Sequence, residues 1–223
     1  MRDIPVVTKN LIIVNVIVFL ATLINKEFMF STFALFYPTS PYFHWWQIVT
    51  HMFMHGGFWH IFFNMYALLM FGSIVEKVIG SRKFLIYYFV CGLGAVALHL
   101  GVQAIQASVY MTQIAENSKS AIAAYQALKM TPTVGASGAI YGLLIAYAML
   151  FPDARLTLIF PPITMSAKTW VIVFAVIELF TGVSGLASGI AHFAHLGGML
   201  FGWLLIRYWR KKGTLFSSNE YYY

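Results

Sequence analysis

The chain has 223 residues, of which 60% are hydrophobic, 17% aromatic and only 9% charged, against about 25% charged in an ordinary soluble protein, so lipid is the solvent for much of its surface. Its 14 Lys and Arg exceed its 7 Asp and Glu by +7, yet the bases lie between apolar runs instead of clustering on one face, which excludes nucleic acid as a partner and points to membrane topology. The single cysteine, Cys91, lies in an apolar stretch, excludes an intrachain disulfide and reads as a buried thiol.

The N-terminal MRDIPVVTK followed by LIIVNVIVFLATLI resembles a secretory signal, but no small-x-small cleavage site follows, so it reads as a retained first span. A helix needs about 20 apolar residues to cross about 30 Å of hydrocarbon. Six segments approach that length, at about 6–25, 57–78, 84–104, 135–151, 169–185 and 190–209, which predicts an all-α membrane protein with one transmembrane domain over 1–223. The loop 26–56 holds Pro38, Pro41 and the aromatic run Tyr42 to Trp46, suited to the headgroup level. The loop 105–134 contains SKSAIAAYQALKM, a short interfacial helix. Glu178 interrupts the fifth segment, and Gly182, Gly185 and Gly189 predict a flexible exit from it. SSNEYYY at the end reads as a free tail.

With six spans and the N-terminus inside, the inner bases are Arg2, Lys9, Lys77, Arg82, Lys83, Arg155, Lys168, Arg207, Arg210, Lys211 and Lys212. Only Lys26, Lys119 and Lys129 fall outside, a division of 11 to 3. By the positive-inside rule both termini are cytoplasmic, and a bacterial cytoplasmic membrane is the expected location.

Charged groups within a bilayer cost on the order of 2.5–3.5 kcal/mol each at its centre on insertion scales, and polar residues there mark function by default. Three clusters stand out. HMFMHGGFWHIFFN, entering the second span, carries His51, His55, His60 and Asn64, with the last two on one helix face. TVGASGAIYG, entering the fourth, carries Ser137 and Tyr141; IAHFAHLGGMLFG, entering the sixth, carries His192 and His195. All three lie at one depth near the outer face, within reach of water. Gly138 with Gly142, and Gly198 with Gly202, form two G-x-x-x-G ridges on which helices can approach backbone to backbone. If the ridges meet, Ser137 and His195 come within hydrogen-bonding distance.

A serine hydroxyl becomes a competent nucleophile when an imidazole takes its proton, so Ser137 is the candidate nucleophile and His195 the base. No carboxylate lies near His195 in sequence and Glu178 sits near the middle of the fifth span, so a Ser–His dyad is predicted instead of a triad. Tyr141, one turn below Ser137, can pack on the imidazole. The Ser137 N–H, in the opening turn of a helix, and the side chains of His60 and Asn64 are candidate oxyanion donors.

His60-x-x-x-Asn64, Gly135-Ala136-Ser137-Gly138 with Tyr141, and Ala194-His195-x-x-Gly198-x-x-x-Gly202 occur in the order, and on the second, fourth and sixth spans, of a known family: the chain resembles the rhomboid intramembrane serine proteases over essentially its whole length. The resemblance implies a six-transmembrane-helix rhomboid-like bundle, a serine endopeptidase activity without a cofactor, and single-span transmembrane protein substrates that reach the site through the lipid bilayer past the fifth span. One departure concerns the first loop, where the family often carries Trp-Arg and this chain has Trp46-Gln47; no catalytic role falls to Glu178.

His51 and His55 have the spacing of a metal pair, but zinc wants three or four ligands and no H-E-x-x-H is present, so structural hydrogen bonding is expected of them and no metal site is assigned. His192 lines the same cavity as His195, and His99 is structural. The rival class is a polytopic His-rich metal- or haem-binding or transport protein with His60, His192 and His195 as ligands and Ser137 as a packing residue. A catalytically dead rhomboid relative is disfavoured by the presence of both Ser137 and His195. No oligomeric state is specified by the sequence.

Overall fold

The computed structural model describes residues 4–158, 161–184 and 192–216. α1 (Val6–Ile24) is followed by α2 (Lys26–Phe33), whose first turn is capped by the Asn25 side chain accepting from Phe28 N–H at 3.1 Å. A long loop then leads through α3 (Gln47–Thr50) and a 3₁₀ turn, His51–Phe53. Next comes one continuous apolar helix over Phe58–Ile79, made of α4 (Phe58–Ala67), a π-helical turn at Leu68–Gly72, and α5 (Ser73–Ile79). Gly80, at φ +81°, turns the chain sharply into α6 (Ser81–Ala115). α7 (Lys119–Met130) is capped by Ser118, and α8 (Ser137–Leu150) follows. A small antiparallel hairpin, β1 (Arg155–Thr157) with β2 (Thr164–Ser166), precedes α9 (Ala167–Ser184) and α10 (His192–Lys211).

Four helices among the described residues are long and apolar enough to cross a membrane: Val6–Ile24, Phe58–Ile79, Ser81–Ala115 and Ala167–Ser184. The six spans expected from sequence are therefore met by four on length and apolarity. α8 has 14 residues, about 21 Å at 1.5 Å per residue. α10 has 20, diluted by histidines, three glycines and a basic last turn. These two helices carry Ser137 and His195. They form the centre of the molecule with α6, and helices packed against protein need less apolar length than helices facing lipid.

The third segment is longer than its expected 84–104, because 105–115 (IQASVYMTQIA) continues the helix. At 35 residues, α6 spans about 52 Å, well beyond the hydrocarbon thickness. The hairpin was not anticipated; its signal is the alternation in Arg155-Leu156-Thr157-Leu158 before Pro161-Pro162. Gly185, Gly189, the tail SSNEYYY and the first three residues lie outside the described residues.

Two polar residues organise the periphery. Gln47, fully buried in the first loop, donates through Nε2 to Tyr42 O at 2.8 Å, and its Oε1 accepts from His44 N–H at 3.1 Å and Phe36 N–H at 3.4 Å. A neutral amide thus folds the loop on itself. Glu76, 2% exposed, accepts from Val7 N–H at 3.0 Å, Thr8 N–H at 2.7 Å, Thr8 Oγ1 at 2.7 Å and Ser81 Oγ at 2.6 Å. It therefore closes the N-terminus of α1, where the helix dipole favours an anion. Glu76→Ala is expected to destabilise the protein by on the order of 3 kcal/mol, with a smaller loss for Glu76→Gln, measurable by thermal unfolding in detergent.

Candidate active site

The site is assembled where glycine lets two helices touch. A Cβ placed on Gly198 of α10 would overlap the Gly138 carbonyl of α8, and one on Gly202 would come within 3.2 Å of the Gly142 Cα. The two ridges meet face to face. Cys91 of α6 fills the same crossing, fully buried against Gly142 and Gly202, and Tyr87 donates its hydroxyl to the Gly142 carbonyl at 2.6 Å.

This crossing brings Ser137, the first residue of α8, against His195 in the opening turn of α10, with Oγ 2.8 Å from Nε2. The Tyr141 ring stacks on the imidazole, centroids 4.1 Å apart and planes within 7°. Ala136 offers no side-chain cap, so the first-turn N–H groups of α8 have no side chain competing for them. Gly135, at φ +129°, has its N–H bonded to His51 O at 2.9 Å. A Cβ there would lie 2.8 Å from His60 Nε2 and 3.6 Å from Ser137 Oγ, so any side chain would be strained and would crowd both. His60 accordingly faces the serine, its other nitrogen, Nδ1, accepting from Gly56 N–H at 3.3 Å. Asn64 is buried and spends one amide N–H on the His60 carbonyl at 2.8 Å, which leaves its second donor.

A dyad was expected because no carboxylate lies near His195 in sequence, yet in space one does. Glu178 Oε1 lies 2.9 Å from His195 Nδ1, because α9 and α10 pack together although the two residues are far apart in sequence. The contact is close but bent: the Nδ1 hydrogen does not point along it, and Nδ1 makes no aligned hydrogen bond. The same carboxylate accepts from the Tyr141 hydroxyl at 2.5 Å and from His192 Nδ1 at 2.6 Å. His192 also lies 3.1 Å from Thr181 Oγ1. Glu178, His192 and His195 offer ligand atoms within 4.8 Å of one another, a group of three that has the donor set for a metal ion. Hydrogen bonds from Tyr141 and His192 to the carboxylate, with the bent His195 contact beside them, account for these distances as they stand. The signal in the sequence was the acid itself, since an intramembrane carboxylate needs partners and two histidines open the next helix.

Three further histidines, His51, His55 and His99, lie around this centre. His51 donates through Nδ1 to Gln47 O at 2.9 Å, and His99 Nε2 lies 3.0 Å from Thr133 Oγ1. His55 sits edge-on to His60 at 5.0 Å, and neither of its nitrogens is aligned for a hydrogen bond among the described residues. Burial holds the His51 imidazole down at about 4 and, aided by the charge of His60, that of His55 at about 3. The unfolded chain takes up these protons near pH 6.5 and the folded chain does not, so this stability is present above pH 6.5 and is lost as the pH falls towards 4 and 3. Between pH 6.5 and 5 the loss is about 2 kcal/mol per histidine. Thermal unfolding in detergent is expected at a lower temperature at pH 5 than at pH 7, with a smaller difference in His51→Gln.

A family profile described as Rhomboid domain matches residues 42–212, from the first loop through the end of α10. The chain belongs to the rhomboid family. It is 30% identical over 208 residues to rhomboid protease AarA of Providencia stuartii, covering 89% of this chain and 70% of that protein. It is 29% identical over 164 residues to Rhomboid protein 1, mitochondrial, of Saccharomyces cerevisiae (71% and 41%), and 28% identical over 159 residues to rhomboid protease GluP of Bacillus subtilis (71% and 25%). The chain thus spans less than half of the latter two relatives. As a rhomboid-family member it is a multi-pass integral membrane protein.

Proposed function

We propose that this rhomboid-family protein is an intramembrane serine protease that hydrolyses a peptide bond in or near the transmembrane segment of membrane-protein substrates. The observation that carries the reading is the 2.8 Å contact between Ser137 Oγ and His195 Nε2, across two helices of a chain whose relatives are named proteases. In this mechanism Nε2 takes the hydroxyl proton while Oγ bonds to the scissile carbonyl carbon; the same imidazole protonates the leaving amine as the C–N bond breaks, and it then takes a proton from the water that cleaves the Ser137 ester and returns it to Oγ. The oxyanion is held by the Ser137 N–H, His60 and Asn64, at a helix N-terminus whose dipole favours negative charge. Tyr141 keeps the imidazole ring in plane, while Gly135, Gly138 and Gly198 permit the close approach.

The helix set supports a topology of six spans within one domain over 1–223, in which α8 and α10 are the short or less apolar inner members. The 11-to-3 division of bases supports placing both termini in the cytoplasm. α9 is the least enclosed of the long apolar helices, 17% buried over its most apolar stretch, and so supports substrate entry on that side. The test is cleavage in proteoliposomes of a single-span reporter alongside a soluble unfolded protein. Preferential cleavage of the membrane-embedded reporter, absent in Ser137→Ala, is expected; equal cleavage by Ser137→Ala would contradict the reading.

A further inference from the structure

Glu178 is buried within α9, a helix whose side chains are mostly exposed, and the two-residue mechanism does not use it. A carboxylate there is expensive unless it is satisfied, and its two oxygens meet three donors: the Tyr141 hydroxyl, His192 Nδ1 and His195 Nδ1, at 2.5, 2.6 and 2.9 Å. Two of these belong to residues that touch the base: His195 is the base itself, and Tyr141 is stacked on its ring. We infer that Glu178 is a positioning residue that completes a Ser137–His195–Glu178 relay, with Tyr141 and His192 fixing the carboxylate in place. The inference rests on the protease reading.

The chemistry follows from which nitrogen faces which oxygen. A carboxylate beside Nδ1 selects the tautomer with its proton there, which leaves the Nε2 lone pair turned to Ser137. When Oγ attacks and its proton moves to Nε2, the ring carries a proton on both nitrogens and a positive charge in a site of low dielectric. Glu178 then provides the counter-charge and receives the Nδ1–H hydrogen bond; it takes no proton. The bent resting contact fits this assignment, since hydrogen bonds of catalytic groups are often misaligned before substrate binds and tighten afterwards. A rival role is mechanical. Glu178 ties α9 to α8 and α10, so it could serve only to latch the helix beside which substrate enters.

The two roles part in the kinetics. With the full-length protein in proteoliposomes and a transmembrane reporter, Glu178→Gln is expected to lower kcat by on the order of 10²–10⁴-fold, with KM within about threefold of wild type and the protein still folded at the assay temperature. Glu178→Asp keeps the anion at a retracted position and is expected to recover part of kcat, which also carries the test if Glu178→Gln does not fold. Ser137→Ala separates the claims. If Ser137→Ala is inactive and Glu178→Gln keeps kcat within threefold of wild type, the relay is overturned and the dyad stands. If the loss in both Glu178 variants is a rise in KM with kcat kept, or unfolding at the assay temperature, Glu178 is a latch and the relay is again overturned. If Ser137→Ala retains full activity, the protease reading fails and the relay with it.

Discussion

Ser137→Ala and His195→Ala are each expected to reduce turnover of a transmembrane reporter by about 10⁴-fold or more, and the double variant to be no slower than either single one. Residues that act as one unit are non-additive, because once either is gone the other has nothing to do. The 2.8 Å bond makes these two such a unit. Residual activity would come from the oxyanion donors and from substrate binding, which neither change touches. Ser137 is half-buried, and alanine removes one hydroxyl and its single hydrogen bond, so the unfolding temperature should move by no more than that bond is worth, about 1 kcal/mol. A double variant slower than both singles by the product of their effects would mean that serine and histidine act separately.

Gly198→Ala is expected to destabilise the protein by about 3 kcal/mol or more and to abolish cleavage, read as a lowered unfolding temperature and loss of activity together. The added methyl would overlap the Gly138 carbonyl, a backbone atom that cannot rotate away. Overpacking in a close-packed interior typically costs 1–3 kcal/mol where side chains can adjust, and here the helix itself would have to shift. That shift would also separate Ser137 from His195, since both sit beside the same crossing. Gly101→Ala in α6 is the control: nothing lies within 4 Å of its Cβ, and alanine favours a helix over glycine by up to about 1 kcal/mol. Equal stability of the two variants would show that the α8–α10 crossing is not the constraint described.

Much of the site was legible because a bilayer penalises polarity, so a serine, a tyrosine and five histidines at helix entrances declare themselves. The glycine ridges were legible for the same reason, since small residues at a four-residue spacing mark close helix contact. Glu178 was legible as an acid but not as a neighbour of His195; sequence separation says nothing about which faces of α9 and α10 meet. The roles of Gln47 and Glu76 were missed because each acts by collecting backbone N–H groups, Glu76 from the distant start of α1 and Gln47 from within its own loop. The span count differed because α8 and α10 answer to protein packing, whereas hydropathy measures contact with lipid. The hairpin was hidden by its brevity, three residues per strand.

The most direct measurement is covalent labelling of the detergent-solubilised protein with a fluorophosphonate, followed by mass mapping of the modified peptide. The account predicts one phosphonyl adduct, on Ser137, formed in wild type and lost in both Ser137→Ala and His195→Ala. An adduct on another residue, or undiminished labelling of Ser137 in His195→Ala, would contradict the claim that this imidazole activates this hydroxyl.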